Sequence, residues 1–233
     1  YSKIPLELYH AVNICDGPSI SSSGLRKLNP DCGSPAHFYA QWAGNPNRAD
    51  DGDKRHFVVG RALHHLILGE KFFAKLFCVQ PDEYESEAGE LKPWNNNAGV
   101  CRKRNAARKK EGRSVLTSKE VETIKQMAIS VGNHPLVNMK GGGILNGLIE
   151  RSLFWKDKET GIWLKWRPDA IPTDSADLGE LKTTAAILYP GLVRTMREMA
   201  YYQQAGLGRW AFREVLDMDM GEFTLIFVEK VAP

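Results

Sequence analysis

Residues 167–184, RPDAIPTDSADLGELKTT, decide how this chain is read. Pro168-Asp169 closes one β-like run and Glu180-Leu181-Lys182 sits inside a second, with a polar, turn-rich segment between them. Alternate residues of a strand share a face, so Lys165, Arg167 and Asp169 point one way and Leu164 and Trp166 the other. Glu180 and Lys182 likewise share a face opposite Leu181. Where the two strands are neighbours, Asp169 and Glu180 converge on one cation with Lys182 beside it. Magnesium suits that arrangement, because it takes oxygen ligands in near-octahedral geometry and is usually held by one or two carboxylates plus water and substrate phosphate. Lys182 would then orient or help deprotonate the attacking water and stabilise a phosphorane-like transition state with its charge. The same residues allow a plainer arrangement, with Asp169 capping a turn and Glu180 and Lys182 forming a surface pair; a bare D…ExK pattern leaves both open.

Working outward, residues 148–172, LIERSLFWKDKETGIWLKWRPDAIP, alternate in two runs around the turn DKETG, which is the pattern of a β-hairpin. A strand DLGELKT follows. Residues 185–215 have helical periodicity, with a break expected at Pro190, and GEFTLIFVEKV reads as a last strand. Upstream, the serines of SISSSGLRKLN can cap a helix, and SPAHFYAQWAG repeats the device with Ser34 as N-cap, Pro35 in the first turn and Gly44 closing it. Residues 45–56 are a polar connection before the helix in FVVGRALHHLILGEKFF. Residues 81–99 read as a long polar loop, and Thr117 or Ser118 caps an amphipathic helix ending near Gly132. This predicts an α/β domain, helices first and then hairpin, strand, helix and strand.

The chain has 233 residues, 42% hydrophobic and 25% charged, which fits one globular domain with a sizeable core and excludes disordered and fibrous classes. Cys15, Cys32, Cys78 and Cys101 form no CxxC pair, which excludes the usual zinc and iron–sulfur spacings and fits free thiols in a reducing cytoplasm. No apolar run reaches the roughly 18 to 20 residues that cross a bilayer, so no membrane partner is expected. The first residue is Tyr1, not Met, and the last strand-like run stops abruptly, so an excerpt of a longer chain is expected. Net charge is only +3, but Arg102, Lys103, Arg104, Arg108, Lys109, Lys110 and Arg113 crowd into residues 101–113 beside a single Glu111. Such a run is either a solvated surface or a phosphate-contacting one.

Pro168-Asp169 and Glu180-x-Lys182 resemble the signature of the PD-(D/E)xK nucleases, and within them the RecE-type (exonuclease VIII-like) recombination exonucleases of phages and prophages. Further pieces fall in the family's order. GRALHHLIL resembles its upstream helix with a metal-binding histidine, and alignment on Gly60 selects His64 over His65, which is left as a packed or surface histidine. IERSLFW with ETGIWLKWRPD resembles the preceding hairpin; Glu150 matches an acidic position there and could equally pair with Lys165 or Arg167. YYQQAGL resembles the helix carrying the active-site glutamine, which selects Gln204. The chain departs from the related QxxxY pattern, since Gly208 stands where that tyrosine would be, and Tyr201 or Tyr202 are the candidates to take its part.

The resemblance implies one nuclease domain over residues 1–233, with a mainly helical part at 1–140 and the hairpin, ExK strand, helix and last strand at 141–233. The implied core is restriction-endonuclease-like, a central mixed β-sheet flanked by helices. It implies a Mg2+-dependent exodeoxyribonuclease, with Asp169, Glu180 and His64 as metal ligands and Lys182 and Gln204 completing the site. A histidine ligand predicts good manganese activity as well. By the same resemblance the enzyme digests double-stranded DNA 5′→3′ in recombination, as a ring-shaped homo-oligomer, for a RecT-like annealing partner. The alternatives are an endonuclease or single-strand nuclease on the same core, and a DNA-binding relative without catalysis.

Overall fold

Turn chemistry and helix caps account for most of the local structure in the computed structural model, which describes residues 3–48, 54–69, 73–138, 143–173 and 175–230. The Asp157 carboxylate accepts hydrogen bonds from the Thr160 amide and hydroxyl, Asp157 exchanges backbone bonds with Gly161 and Ile162, and Gly161 adopts φ +68°. This is the turn that DKETG predicts, and it joins Leu153–Lys156 antiparallel to Trp163–Trp166. Ser19–Ser21 adds to Trp163–Trp166 in parallel, giving a mixed three-stranded sheet. Ser34 accepts from the His37 amide at 3.3 Å and starts the helix Pro35–Gln41. Thr117 and Glu120 form a reciprocal capping box at the head of Ser118–Gly132.

The protein is mixed α/β, with helices and small sheets. Among the described residues the strands form five separate ladders, the largest of three strands. Two compact units divide the chain, one made of residues 1–51 and 135–227, the other of 52–134 and 228–233. The first fifty residues therefore pack with the second half, not with the helices that follow them in sequence.

In the first unit, Leu153, Trp155, Leu164, Trp166, Ile171 and Leu178 from the strands pack against Leu207, Ala211 and Phe212 in one apolar cluster. The opposite face of the hairpin is polar in sequence but also covered. Tyr9, on the short helix Leu6–His10, accepts at its carbonyl from Lys165 Nζ at 2.8 Å, and its ring lies 5.2 Å from that ammonium. Arg167 donates to the Ile4 carbonyl at 2.9 Å. In the second unit, Arg55–Ile67 packs on Ser118–Gly132, burying Val58, Ala62 and Leu63 on one helix and Ile124, Met127 and Val131 on the other.

Two local expectations are corrected. Pro190 does not break a helix; it occupies the first turn of Tyr189–Glu198, where its missing N–H costs nothing. The break falls at Ala200, in the left-handed region at φ 46°, ψ 47°, before the helix Tyr201–Ala211. The polar segment after Pro81 is not a plain loop, since Glu83–Glu85 pairs antiparallel with Leu91–Pro93. Its turn is closed by bonds between Ser86 and Glu90 and between Gly89 and Ser86, with Gly89 at φ +78°.

Candidate active site

The strand ladder delivers Asp169 to a buried spot. Glu150 donates its backbone N–H to the Asp169 carbonyl at 2.9 Å, extending by one residue the antiparallel pairing of Leu148–Ile149 with Ala170–Ile171. Leu178–Thr184 belongs to another ladder, with Phe223–Glu229. The two segments are tied by their carboxylates instead of a backbone ladder. Asp169 Oδ2 accepts from the Leu181 amide at 2.6 Å, and Glu180 Oε1 accepts from the Asp169 amide at 3.3 Å. Each acid is thus fixed by the main chain of the other's strand, which brings the two together as alternation suggested.

Asp169 is 8% and Glu180 2% exposed. Glu180 Oε2 accepts from Lys182 Nζ at 2.7 Å and from Gln204 Nε2 at 3.0 Å. Four of the residues singled out in the sequence, Asp169, Glu180, Lys182 and Gln204, therefore meet in the first unit. Burial alone would depress the Lys182 pKa, but the Glu180 and Asp169 carboxylates and the hydrogen bond to Glu180 override it and hold the lysine above its ordinary value. It stands here as a fixed ammonium. The Tyr201 ring lies 5.5 Å from Lys182 Nζ, a cation–π contact that places this tyrosine beside the cluster. Tyr202 is instead exposed and accepts from Asn29 Nδ2 at 2.7 Å.

Glu150 is ion-paired with Arg167, its carboxylate 2.7 Å from that guanidinium. Its partner is held in turn by the Ile4 carbonyl and the Tyr9 ring face. His64 lies half-buried on the helix Arg55–Ile67 of the second unit. His65 stacks edge-on against Phe77 at 5.8 Å, as a packed histidine would. The basic run forms the helix Gly99–Lys110, turning Cys101 into the core and leaving Arg102, Lys103, Arg104, Lys109 and Lys110 exposed. Arg108 and Arg113 are both paired with Glu111.

Among the described residues no three His, Cys, Asp or Glu side chains are grouped as a metal centre. Two buried carboxylates, Asp169 and Glu180, nevertheless stand beside one ammonium, that of Lys182. A divalent cation that takes most of its ligands from water and phosphate fits that donor set.

Gly208 explains its own departure from QxxxY. A Cβ there would come within 2.7 Å of the Trp166 indole, which is 2% exposed, so no side chain fits one turn beyond Gln204 while Trp166 fills the core. Gly208→Ala is expected to lower stability by about 1–2 kcal/mol, because overpacking against a ring that cannot move outweighs the better helix propensity of alanine. Denaturant unfolding of the two proteins checks this; equal midpoints would mean that Trp166 gives way.

No family model matches the chain, and no curated protein does. Among solved structures, the chain is similar to a protein of Eubacterium rectale whose crystal structure is described as a "Putative exonuclease". The match covers 99% of this chain and 74% of that one, with a TM-score of 0.62 and 13% sequence identity. The two proteins share a fold. No helix of the described residues is long and apolar enough to cross a membrane.

Proposed function

We propose that this chain is a metal-dependent deoxyribonuclease of the PD-(D/E)xK type, hydrolysing phosphodiester bonds as a 5′→3′ double-strand exonuclease in recombination. The observation that carries the reading is the hydrogen-bonded grouping of the buried Asp169 and Glu180 with the half-buried Lys182 and Gln204, the first three in the order and spacing of that signature. The shared fold with a protein described as an exonuclease supports it.

Asp169 and Glu180 would hold magnesium, or manganese in its place, with His64 as a third ligand by resemblance. When bound, the cation polarises a phosphate oxygen and acidifies a water. The chain's own residues do the rest. Asp169 and Glu180 are held in fixed orientation by the Leu181 and Asp169 amides, so little reorganisation is needed at the moment of reaction. Lys182 would place a positive charge where negative charge develops on the phosphoryl group and orient or help deprotonate the attacking water. Gln204 fixes Glu180 from the other side.

Polarity is tested on blunt linear duplex carrying a label at the 5′ or the 3′ end. Immediate release of mononucleotide from the 5′-labelled end supports the reading, and release from the 3′-labelled end first overturns the direction. A ring-shaped oligomer and a RecT-like annealing partner are part of the same proposal, and light scattering of the purified chain tests the first.

The exposed part of the basic helix would hold duplex DNA without reading sequence. Each phosphate contact displaces condensed counterions, so Lys109→Ala with Lys110→Ala is expected to flatten log K against log salt by up to about two units and to weaken all sequences alike. Anisotropy titrations across salt concentrations check it; an unchanged slope would make the helix a solvated surface only.

A further inference from the structure

The second unit carries a groove that the catalytic cluster does not use and that shares Arg102 and Arg104 with the exposed part of the basic helix. One cleft of about 410 Å3 is lined by Arg55, Gln80, Asn96, Arg102, Asn105 and Thr117. A second, of about 370 Å3, is lined by Trp94, Arg104, Arg108 and Arg113 on its polar and aromatic side, with Phe73 and Phe77 below. Gln80, Asn105 and Val115 line both, so the two adjoin.

Three properties of the lining define the ligand. The first is charge: five arginines and no Asp or Glu face the clefts. Arg55 is paired with Glu120, and Arg108 and Arg113 with Glu111. Arg102 and Arg104 are exposed, and their guanidinium groups make no ion pair or hydrogen bond among the described residues. The second is the set of carboxamides. Asn96 accepts at Oδ1 from both Trp94 Nε1 at 2.9 Å and Asn105 Nδ2 at 3.2 Å, which orients its amide nitrogen away from them as a donor. Amides present the paired donor and acceptor that a base edge requires. The third is the half-buried Trp94, braced edge-on by Tyr84 at 6.5 Å, which offers a flat apolar surface. Cation, amide and aromatic together are the chemistry that binds unpaired nucleotides through phosphate, base edge and base face. Volumes of this size match a ligand the size of one nucleotide each.

We propose that this groove binds single-stranded DNA, with phosphate on Arg102 and Arg104 and a base against Trp94. The choice of DNA over RNA rests on the nuclease reading; the groove itself does not. A strand separated from its complement would be held here, with Arg102 and Arg104 serving both single strand and duplex and Trp94 the single strand alone.

The test is fluorescence anisotropy of the full chain with labelled oligo(dT) of twelve nucleotides, and with a closed hairpin duplex, in EDTA so that nothing is cut. Trp94→Ala is expected to weaken the single strand about tenfold, as loss of one stacked base does, and the hairpin less than twofold. Trp94→Phe should restore most of the affinity. Arg104→Gln, at an exposed position that cannot unfold the protein, should weaken the single strand by a similar factor, and millimolar dTMP should compete with the oligonucleotide for the wild type. Wild-type affinity for oligo(dT) in Trp94→Ala and Arg104→Gln, or equal losses on single strand and hairpin in Trp94→Ala, would overturn the proposal. Cleavage assays are separate: an inactive wild type that still binds oligo(dT) through Trp94 removes the nuclease reading and leaves the groove, and an active one insensitive to Trp94 does the reverse.

Discussion

Lys182→Ala is expected to lower the cleavage rate by a factor of about 10³ while leaving duplex affinity within about threefold of the wild type. The factor is that measured when one preorganised donor to a developing oxyanion is removed. The asymmetry follows from where Lys182 sits. Its side chain is 19% exposed and bonded to a buried glutamate, so in the proposed nuclease it would add little to long-range attraction for DNA and act on the charge that appears only in the transition state. The variant also strips a cation from Glu180, leaving Asp169 and Glu180 with two negative charges and one less neighbour, which should raise metal affinity if it changes it at all. Single-turnover digestion and anisotropy on the same preparation separate the two effects. Equal losses in both would place Lys182 in binding, and wild-type turnover would remove it from the chemistry.

Asp169→Ala and Glu180→Ala should each abolish cleavage and calorimetrically measurable manganese binding. Their effects on folding differ. Glu180 accepts from the Asp169 amide, Lys182 and Gln204, so Glu180→Ala takes the hydrogen-bonded carboxylate from the half-buried Lys182 and leaves a buried amide unsatisfied, a change that costs about 1–3 kcal/mol. Glu180→Gln keeps the size and most acceptor bonds, and should fold well yet still lose the metal, which separates ligation from stability. His64→Ala should lose part of the metal affinity only. Carboxylate variants that bind manganese as the wild type does would move the site elsewhere in the chain.

What the sequence displayed, and what it hid, follows from range. The hairpin around DKETG, the Ser34 and Thr117 caps and the strand Leu178–Thr184 depend on neighbours a few residues apart, and their residue types state the geometry. Period-two alternation separated Asp169 and Glu180 from the core-facing Trp166 and Leu181 and brought them together on condition that their strands are neighbours, a condition the sequence could not supply because the bonds that join them run between different ladders. The cover over Lys165 and Arg167 was not visible, since it depends on Tyr9 and Ile4, more than 150 residues away in sequence. Ala200 carries no signal for a left-handed residue, so the break was assigned to the proline that starts the helix. The ribbon Glu83–Glu85 with Leu91–Pro93 has three residues in each strand, too few for alternation to mark it. The groove beside Trp94 had no motif at all, because its lining comes from four separate segments between Arg55 and Thr117.

The central claim is that Asp169, Glu180 and Lys182 form a metal-dependent centre that cuts DNA from an end. The most direct measurement is digestion of end-labelled linear duplex and covalently closed circular duplex with magnesium, alongside EDTA and Lys182→Ala controls. The account predicts progressive loss of the linear substrate only, in magnesium or manganese and with the wild type alone. Cutting of the closed circle would make the enzyme an endonuclease, and intact linear DNA with both metals, or cleavage that survives Lys182→Ala, would contradict the account.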